Sequence, residues 1–342
     1  MKNTESQHSQ RKNEHYSLAL KFWQDKARDN QLNQTIFERK LESDEFVNFN
    51  LNDIDITVEL FNHRFSFPFY IEAMTGGSEL TQKINGQLAE IANRTNIAMA
   101  VGSQSAALKD NRLIDSYKIV RKNNPNGFIF ANIGAGHDAD AAKQAIEMIE
   151  ANALEVHINL AQELVMKDGD HQFDNWQDNI AKIIAESPVP VIIKGVGFGM
   201  SEKTIKAITE LKPAAINLSG NNGTNFAWIE ARRDQNDSWQ SISQNNNFPS
   251  YSTEESLINA ETAGIELPLI TNGGFNNPND IVIAQSYNAK LVGVAGYFLY
   301  LNSIDKLEST IDEWKQILPK LYMLYGAKNQ SELTENLRPF GK

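Results

Sequence analysis

Eight short runs of apolar and β-branched residues, most of them separated by stretches of helical periodicity, constrain this chain more than any other feature. They are Phe69 to Met74, Ala98 to Gly102, Phe128 to Ile133, Leu154 to Asn159, Val189 to Val196, Ala215 to Ser219, Leu267 to Thr271 and Leu291 to Ala295. Between runs, Ile84, Leu88 and Ile91 share one helical face, as do Ala142, Ile146 and Ile149, and Ile180, Ile183 and Ile184. The runs restart every roughly 23 to 35 residues, the size of a strand–helix unit, with one longer gap. Alternating β and α implies a parallel sheet. An open, doubly wound sheet is the rival, but eight units match the number that closes into a packed barrel. The expected fold is therefore α/β, a (β/α)₈ barrel. Gly195, Gly197 and Gly199 form GxGxG after a strand. The third glycine comes one position early and no acidic residue follows at a suitable distance, so this is a poor dinucleotide fingerprint.

Two regions lie outside the repeat. Before Phe69 we expect a helix from Glu14 to Lys26, then a hairpin about Asn62–His63 joining Ile54–Leu60 to Arg64–Phe67 and plugging the barrel bottom. The expected organisation is an N-terminal arm, helix and hairpin over residues 1–68, packed on a barrel over 69–342. The long gap, from about Trp228 to Glu266, is rich in Asn, Ser, Gln and Asp and reads as a lid over the site.

Composition narrows the chemistry. A net charge of −11 argues against nucleic acid or an anionic membrane as partner, so any anionic ligand needs local cations. With no cysteine in 342 residues, disulfides, thiolate metal sites, iron–sulfur clusters and thiol acids or nucleophiles are excluded. Proton transfer must come from another side chain, water or a cofactor. There is no apolar run long enough to span a membrane. Met1 to Gln10 is polar, without the apolar segment of a signal peptide, and reads as a flexible tail on a cytoplasmic protein.

Polar and glycine-containing signatures follow the strands. Strand one ends Ala73-Met74-Thr75-Gly76-Gly77, strand two Gly102-Ser103-Gln104 and strand three Asn132-Ile133-Gly134. In a barrel these ends share one mouth, where active sites of this fold lie. Ser219, Thr224, Gly273, Gly274, Ala295 and Gly296 have the character of late-strand phosphate loops, although each alone is also an ordinary βα turn. Lys194 ends the apolar run from Val189 and is either a snorkelling surface lysine or a site residue able to stabilise negative charge on a cofactor ring. His157 and Asn159 alternate on strand four and point the same way, with Gln162 and Glu163 just beyond. One carboxylate among amides and substrate phosphate oxygens is a Mg²⁺ arrangement. His157 alone would read as a satisfied core histidine. Arg11-Lys12, at the start of the first helix, is either a solvated face or a mobile arm that folds over a diphosphate.

Taken in order, Arg-Lys-x-x-His, Met-Thr-Gly-Gly, Gly-Ser-Gln, Asn-x-Gly, His-x-Asn-x-x-Gln-Glu, Lys-x-x-Gly and Ser-Gly-x-x-Gly-Thr resemble the type 2 isopentenyl-diphosphate isomerases from Arg11 to about Leu299. The last motif continues through Trp228 and Ile229-Glu230 to Arg233. The stretch from His157 to Trp176, with Gly169-Asp170 and Phe173, is especially specific to the family.

That resemblance implies interconversion of isopentenyl and dimethylallyl diphosphate with reduced FMN, Mg²⁺, and NADPH to keep the flavin reduced. It implies that Ala73, Met74, Thr75, Ser103, Asn132, Lys194, Ser219, Thr224, Gly273, Gly274, Ala295 and Gly296 hold FMN. Arg11, Lys12, Ser103, His157, Asn159 and Gln162 would hold substrate, and Glu163 would bind Mg²⁺. Moving a double bond requires one proton added and another removed. Flavin N5 would be the acid/base group, with Lys194, Gln162 and His157 as the catalytic side chains around it. The family also implies a homo-oligomer of four or eight subunits.

Four places depart from the family pattern. Ser105 stands where an arginine is common, Asn222 replaces a glycine, Phe275-Asn276 follows Gly-Gly where a basic residue is frequent, and Lys167-Asp168 replaces Pro-Glu. The rival readings are an FMN barrel oxidising a hydroxy acid, and a non-catalytic flavin- or phospholigand-binding protein. The first would need a histidine base with arginines late in the barrel, and the second would not need the polar set at the mouth.

Overall fold

Each of the eight apolar runs contributes a strand, and the strands close on themselves. The computed structural model describes residues 7–335 except 168, 170, 171 and 246. A hairpin, β1 (Val58–Leu60) and β2 (His63–Phe65), precedes β3 (Phe69–Ile71), β4 (Met99–Ala100), β5 (Ile129–Gly134) and β6 (Ala153–Ile158). Then come β7 (Val191–Gly195), β8 (Ala215–Asn217), β9 (Leu269–Asn272) and β10 (Ala289–Val294). Strands β3 to β10 form a closed barrel in chain order, every pairing parallel, with β10 returning to β3.

Helix α1 (Gln7–Arg28) comes first, and α2 (Glu79–Thr95), α3 (Ser105–Lys109), α4 (Asp115–Asn123) and α5 (Ala139–Ile149) follow the early barrel strands. After β6 come α6 (Leu160–Val165) and α7 (Trp176–Glu186), and after β7, α8 (Glu202–Glu210). The later helices are α9 (Phe226–Arg233), α10 (Asp237–Ser243), α11 (Thr253–Ala263), α12 (Pro278–Ser286), α13 (Gly296–Ser303), α14 (Leu307–Leu324) and α15 (Gln330–Glu335). Several begin at side chains that satisfy the first free amides: Ser78 accepts from Thr81, Asp138 from Ala141 and Asn277 from Asp280, with Pro278 in the first turn of α12. No helix among the described residues is long and apolar enough to cross a membrane.

Strand alternation builds the interior in layers. Tyr70, Phe130, Ala153, Ile192, Ala215, Ile270 and Leu291 form an apolar floor with Val58, Leu60 and Phe65 of the hairpin. Their neighbours one position along, such as Ile71, Ile129, Leu154, Ile193 and Val292, pack outward against the helices. Two positions beyond the floor the same inward face becomes polar: Glu72, Asn132, Glu155, Lys194, Asn217 and Asn272 are all buried. Gly293 completes that layer, because a Cβ there would collide with the Glu72 carboxylate.

Two expectations are corrected, those on the hairpin turn and on the start of the first helix. The hairpin turn is Phe61–Asn62, one residue earlier than expected, with both residues at φ 56°. Phe61 is apolar and so reads as strand, but its ring stacks on Phe128 at 6.3 Å. Helix α1 starts at Gln7, not Glu14, because its first turns are polar and carry no periodic signal. Arg11 and Lys12 therefore sit inside a helix rather than at its start or on a loose arm. The polar gap holds three helices, α9 to α11, with α11 against α8 in the outer ring. Its helices bury small and polar side chains beside apolar ones: Ala227, Ile229, Glu230 and Ala231 in α9, and Thr253, Glu254, Ser256, Leu257 and Ala260 in α11. Residues 1–6 of the expected tail, together with Asp168 and Asp170, lie outside the described residues.

Leu60→Ala removes a large side chain from the floor and leaves a cavity, with an expected cost of about 2–5 kcal/mol. A urea melt should show a lower midpoint with an unchanged slope. An unchanged midpoint would mean the hairpin does not plug the barrel.

Candidate active site

The polar layer is organised by one ammonium. Lys194 pairs with Glu72 at close range and with Glu155 at 3.0 Å, all three buried in the barrel. The Tyr70 hydroxyl donates to Glu72 at 2.7 Å, and the Ala73 amide does so at 2.7 Å. Asn217 donates to Glu72 at 3.0 Å and Asn132 to Glu155 at 2.9 Å. Such saturation is what makes buried charge tolerable. Two carboxylates still face one ammonium. Burial and the neighbouring Glu72 charge push Glu155 up to about 7, against the pull of Lys194 and Asn132. For Glu72, burial is overruled by Lys194 and the hydrogen bonds it accepts, and its carboxyl sits below the usual value. Lys194 is held above its ordinary value by the two carboxylates, against burial. Near neutrality Glu155 is partly protonated.

Sequence reasoning reached Lys194 and missed both its partners. The signal was available: Glu155 precedes His157 by two positions and Glu72 precedes Met74 by two, on the same inward faces. Lys194 is consequently not a bare cation. Its charge is shared with two carboxylates before any ligand arrives.

Above this layer opens a cavity of ≈ 520 Å³. It gathers Arg11, Lys12, Ser103, His157, Asn159, Gln162 and Glu163, along with Ala73, Met74, Asn132 and Lys194. Helix α1 forms one wall, where Lys12 Nζ donates to the Ser103 carbonyl at 3.2 Å. Burial, helped by Arg11 and opposed by Glu230, lowers the Lys12 ammonium to about 8. Asn159 caps α6, accepting from the Gln162 amide at 3.1 Å and donating to Gln162 Oε1 at 2.8 Å. Gln162 Nε2 in turn donates to Glu230 Oε1 at 2.8 Å.

Glu230, on α9, joins the wall elements. It lies 3.5 Å from Arg11 and 2.7 Å from His15 Nε2, and it pairs closely with Arg233. Burial works against its charge, but His15, Arg11 and Arg233 overrule it and hold the carboxyl down to about 2. His157 is pushed down to about 3 by burial, Lys194, Lys12 and His137, so its ring is neutral. Its Nδ1 lies 2.9 Å from Asn132 Oδ1. Since Asn132 spends its amide hydrogens on Glu155, Nδ1 is assigned the proton and Nε2 the lone pair. Among the described residues no group of three or more His, Asp or Glu side chains could hold a metal by itself. A cation at Glu163 would have to complete its shell with water and ligand oxygens.

Thr224, Gly273, Gly274, Ala295 and Gly296 line a second, adjoining cavity, with Ala73, Met74 and Lys194 bordering both. Gly273 and Gly274 hold φ of 111° and 91°. A Cβ on Gly274 would stand 2.6 Å from that of Asn222, so only bare backbone fits this cradle. The Thr75 and Ser219 side chains line neither cavity. Thr75 bonds to Asn85 and Ser219 accepts from the Gly197 amide at 2.8 Å. Asn222, which replaces a glycine of the family pattern, does not hold a positive φ, whereas Ser219 does at 61°, and Asn222 Oδ1 accepts from the Thr253 amide at 2.8 Å. Ser105 bridges Ser103 at 2.9 Å and His137 at 2.7 Å, and Lys109, one turn on, also lines the larger cavity.

No family model matches the chain. Curated sequences do. An isopentenyl-diphosphate delta-isomerase of Lactococcus lactis subsp. lactis is 44% identical over 336 residues, covering 97% of this chain and 94% of the relative. Those of Limosilactobacillus reuteri and Listeria monocytogenes are each 42% identical, over 96% and 97% of this chain and 94% and 91% of theirs. Among solved structures, a mandelate oxidase with an FMN adduct superposes with a TM-score of 0.60 at 11% identity, over 86% of this chain and 85% of that one. A flavocytochrome b2 does so with 0.62 at 16% identity, over 86% and 74%. These structural likenesses concern the fold.

The cluster makes a direct prediction. Infrared spectra should show a protonated-carboxyl band that titrates with a midpoint of about 7 and is missing from Glu155→Gln. A band that stays in that variant would place the proton elsewhere.

Proposed function

The chain belongs to the isopentenyl-diphosphate delta-isomerase family, and from that membership we propose that it interconverts isopentenyl and dimethylallyl diphosphate by the flavin-dependent, type 2 route, with FMN, Mg²⁺, and NADPH as the reductant. The observation that carries the reading is the single cavity uniting Arg11, Lys12, His157, Asn159, Gln162 and Glu163 beside the glycine cradle of the late strands. The cradle suits a phosphate-bearing cofactor: its glycines leave backbone amides exposed where any Cβ would intrude. Thr224, Gly273, Gly274, Ala295 and Gly296 would hold the phosphate, and Ala73, Met74, Asn132 and Lys194 would face the ring. When bound, reduced FMN would supply a proton-bearing N5 and an electron-rich ring for moving the double bond.

The protein's own side chains do the rest. Arg11 and Lys12 neutralise the diphosphate against an otherwise acidic chain, and Ser103, His157 and Asn159 fix its position. Glu163 would hold a Mg²⁺, one carboxylate being enough for an ion that keeps its waters and completes its shell from the substrate. Gln162, held from both sides by Asn159 and Glu230, presents a fixed amide to the reacting carbons. Glu230, held ionised by His15, Arg11 and Arg233, keeps that amide in place. The Lys194 cluster would set the charge that a bound flavin ring meets. The reaction takes place in a cytoplasmic enzyme of four or eight like subunits.

A hydroxy-acid oxidase is the less fitting alternative, since Asn272-Gly273-Gly274-Phe275-Asn276 after β9 offers neither histidine nor arginine. The deciding assay supplies isopentenyl diphosphate with FMN, Mg²⁺ and NADPH, and omits each in turn. Dimethylallyl diphosphate should form only with reduced flavin, without matching NADPH consumption; a yellow protein that makes none would overturn the proposal. Glu163→Gln should retain FMN and lose about 100-fold or more in turnover, as for loss of a metal contact. Undiminished turnover would remove Glu163 from the metal site.

A further inference from the structure

The cradle after β9 and β10 lacks a cation of its own. Among the described residues Lys194 is the sole basic one lining this cavity, and it is already engaged by Glu72 and Glu155. Phe275 is buried beside Phe37, and Asn276 Nδ2 turns back onto the Gly274 carbonyl at 3.0 Å. In a chain of net charge −11, a phosphate held by amides alone would sit in an unfavourable field.

Helix α1 crosses this cavity near its C-terminal end. Trp23 is 2% exposed, lines the cavity, and its indole Nε1 is buried without a hydrogen-bond partner. The indole packs at 5.5 Å from Tyr297, which fixes the ring. Nε1 lies against Gly296, where any Cβ would collide with it, at the first residue of α13. A buried N–H normally has an acceptor, and indole nitrogen can only donate. Lys26, three residues on, shares this face of α1. Its ammonium lies 4.9 Å over the Trp23 ring and 3.5 Å from the Asn222 carbonyl, and no carboxylate pairs with it among the described residues.

We propose that α1 supplies the missing half of a phosphate-monoester clamp: Trp23 Nε1–H donates to a phosphate oxygen at the β10–α13 turn, and Lys26 provides the neutralising charge beside the loop at Asn222. This rests on FMN being the cofactor and assigns its phosphate two ligands from outside the barrel repeat. One consequence is coupling. The helix that would clamp the cofactor phosphate also carries Arg11, Lys12 and His15, so filling the cradle steadies the wall of the substrate cavity.

Riboflavin, which lacks the phosphate, separates the clamp from general packing. Dissociation constants for FMN and riboflavin are measured by flavin fluorescence quenching in the wild type, Trp23→Phe and Lys26→Met. Trp23→Phe should weaken FMN about tenfold or more, the value of a hydrogen bond to a charged group, and leave riboflavin nearly unchanged. Lys26→Met, a partly exposed position that spares the core, should weaken FMN several-fold and flatten its salt dependence. If either variant weakens FMN and riboflavin in equal proportion, or leaves FMN binding intact, the clamp is wrong. A wild-type chain that binds riboflavin and FMN equally would also refute the clamp while leaving a flavin in the site. A chain that binds neither would overturn the flavin-dependent reading itself.

Discussion

One lysine between two glutamates, deep in a parallel barrel, is the interaction on which the site depends. Removing one member of a buried ion pair typically costs about 3–5 kcal/mol, because the partner is left charged without compensation. Here the demand radiates outward. Glu72 requires a glycine at position 293 and engages Tyr70 and Asn217, while Glu155 engages Asn132. Asn132, its amide hydrogens spent on that carboxylate, turns its oxygen to His157 and so sets the ring that lines the cavity. The charge balance of the interior thus reaches the mouth through one amide.

A second anchor works from above. Glu230 draws Arg11 and His15 of α1, Arg233 of its own helix and Gln162 of α6 to one point. Helix α1, which belongs to no barrel unit, becomes a wall of the cavity through that carboxylate. Arg11, Lys12 and His15 of that helix thereby line the larger cavity, in a chain whose overall charge is −11.

The ring of strands was legible because each is a short, mostly apolar run that ends in glycine or polar residues, a pattern that local chemistry enforces. Lys194, His157, Asn159 and Gln162 were legible for the same reason: polar side chains at strand ends announce themselves. Phe61 misled because an apolar residue in a left-handed turn is indistinguishable in sequence from a strand residue. The start of α1 was hidden because Gln7 to Asn13 carry no apolar period, and their helical state depends on what they cover. The α9–α11 segment looked like loop because many of the residues it buries are small or polar, such as Ala227, Glu230 and Ser256.

By itself the sequence determined the barrel, the gathering of polar residues at its strand ends and the exclusion of thiol chemistry. Alternation, glycine placement and residue inventory are local properties, readable without knowing what touches what. Only the tertiary structure decided that Lys194 is paired with Glu72 and Glu155, that Glu230 on α9 gathers α1 and α6, and that Trp23 meets Gly296. Those partners lie on different strands or helices, often more than a hundred residues apart. Their meeting is set by barrel closure, which no periodicity within one segment encodes.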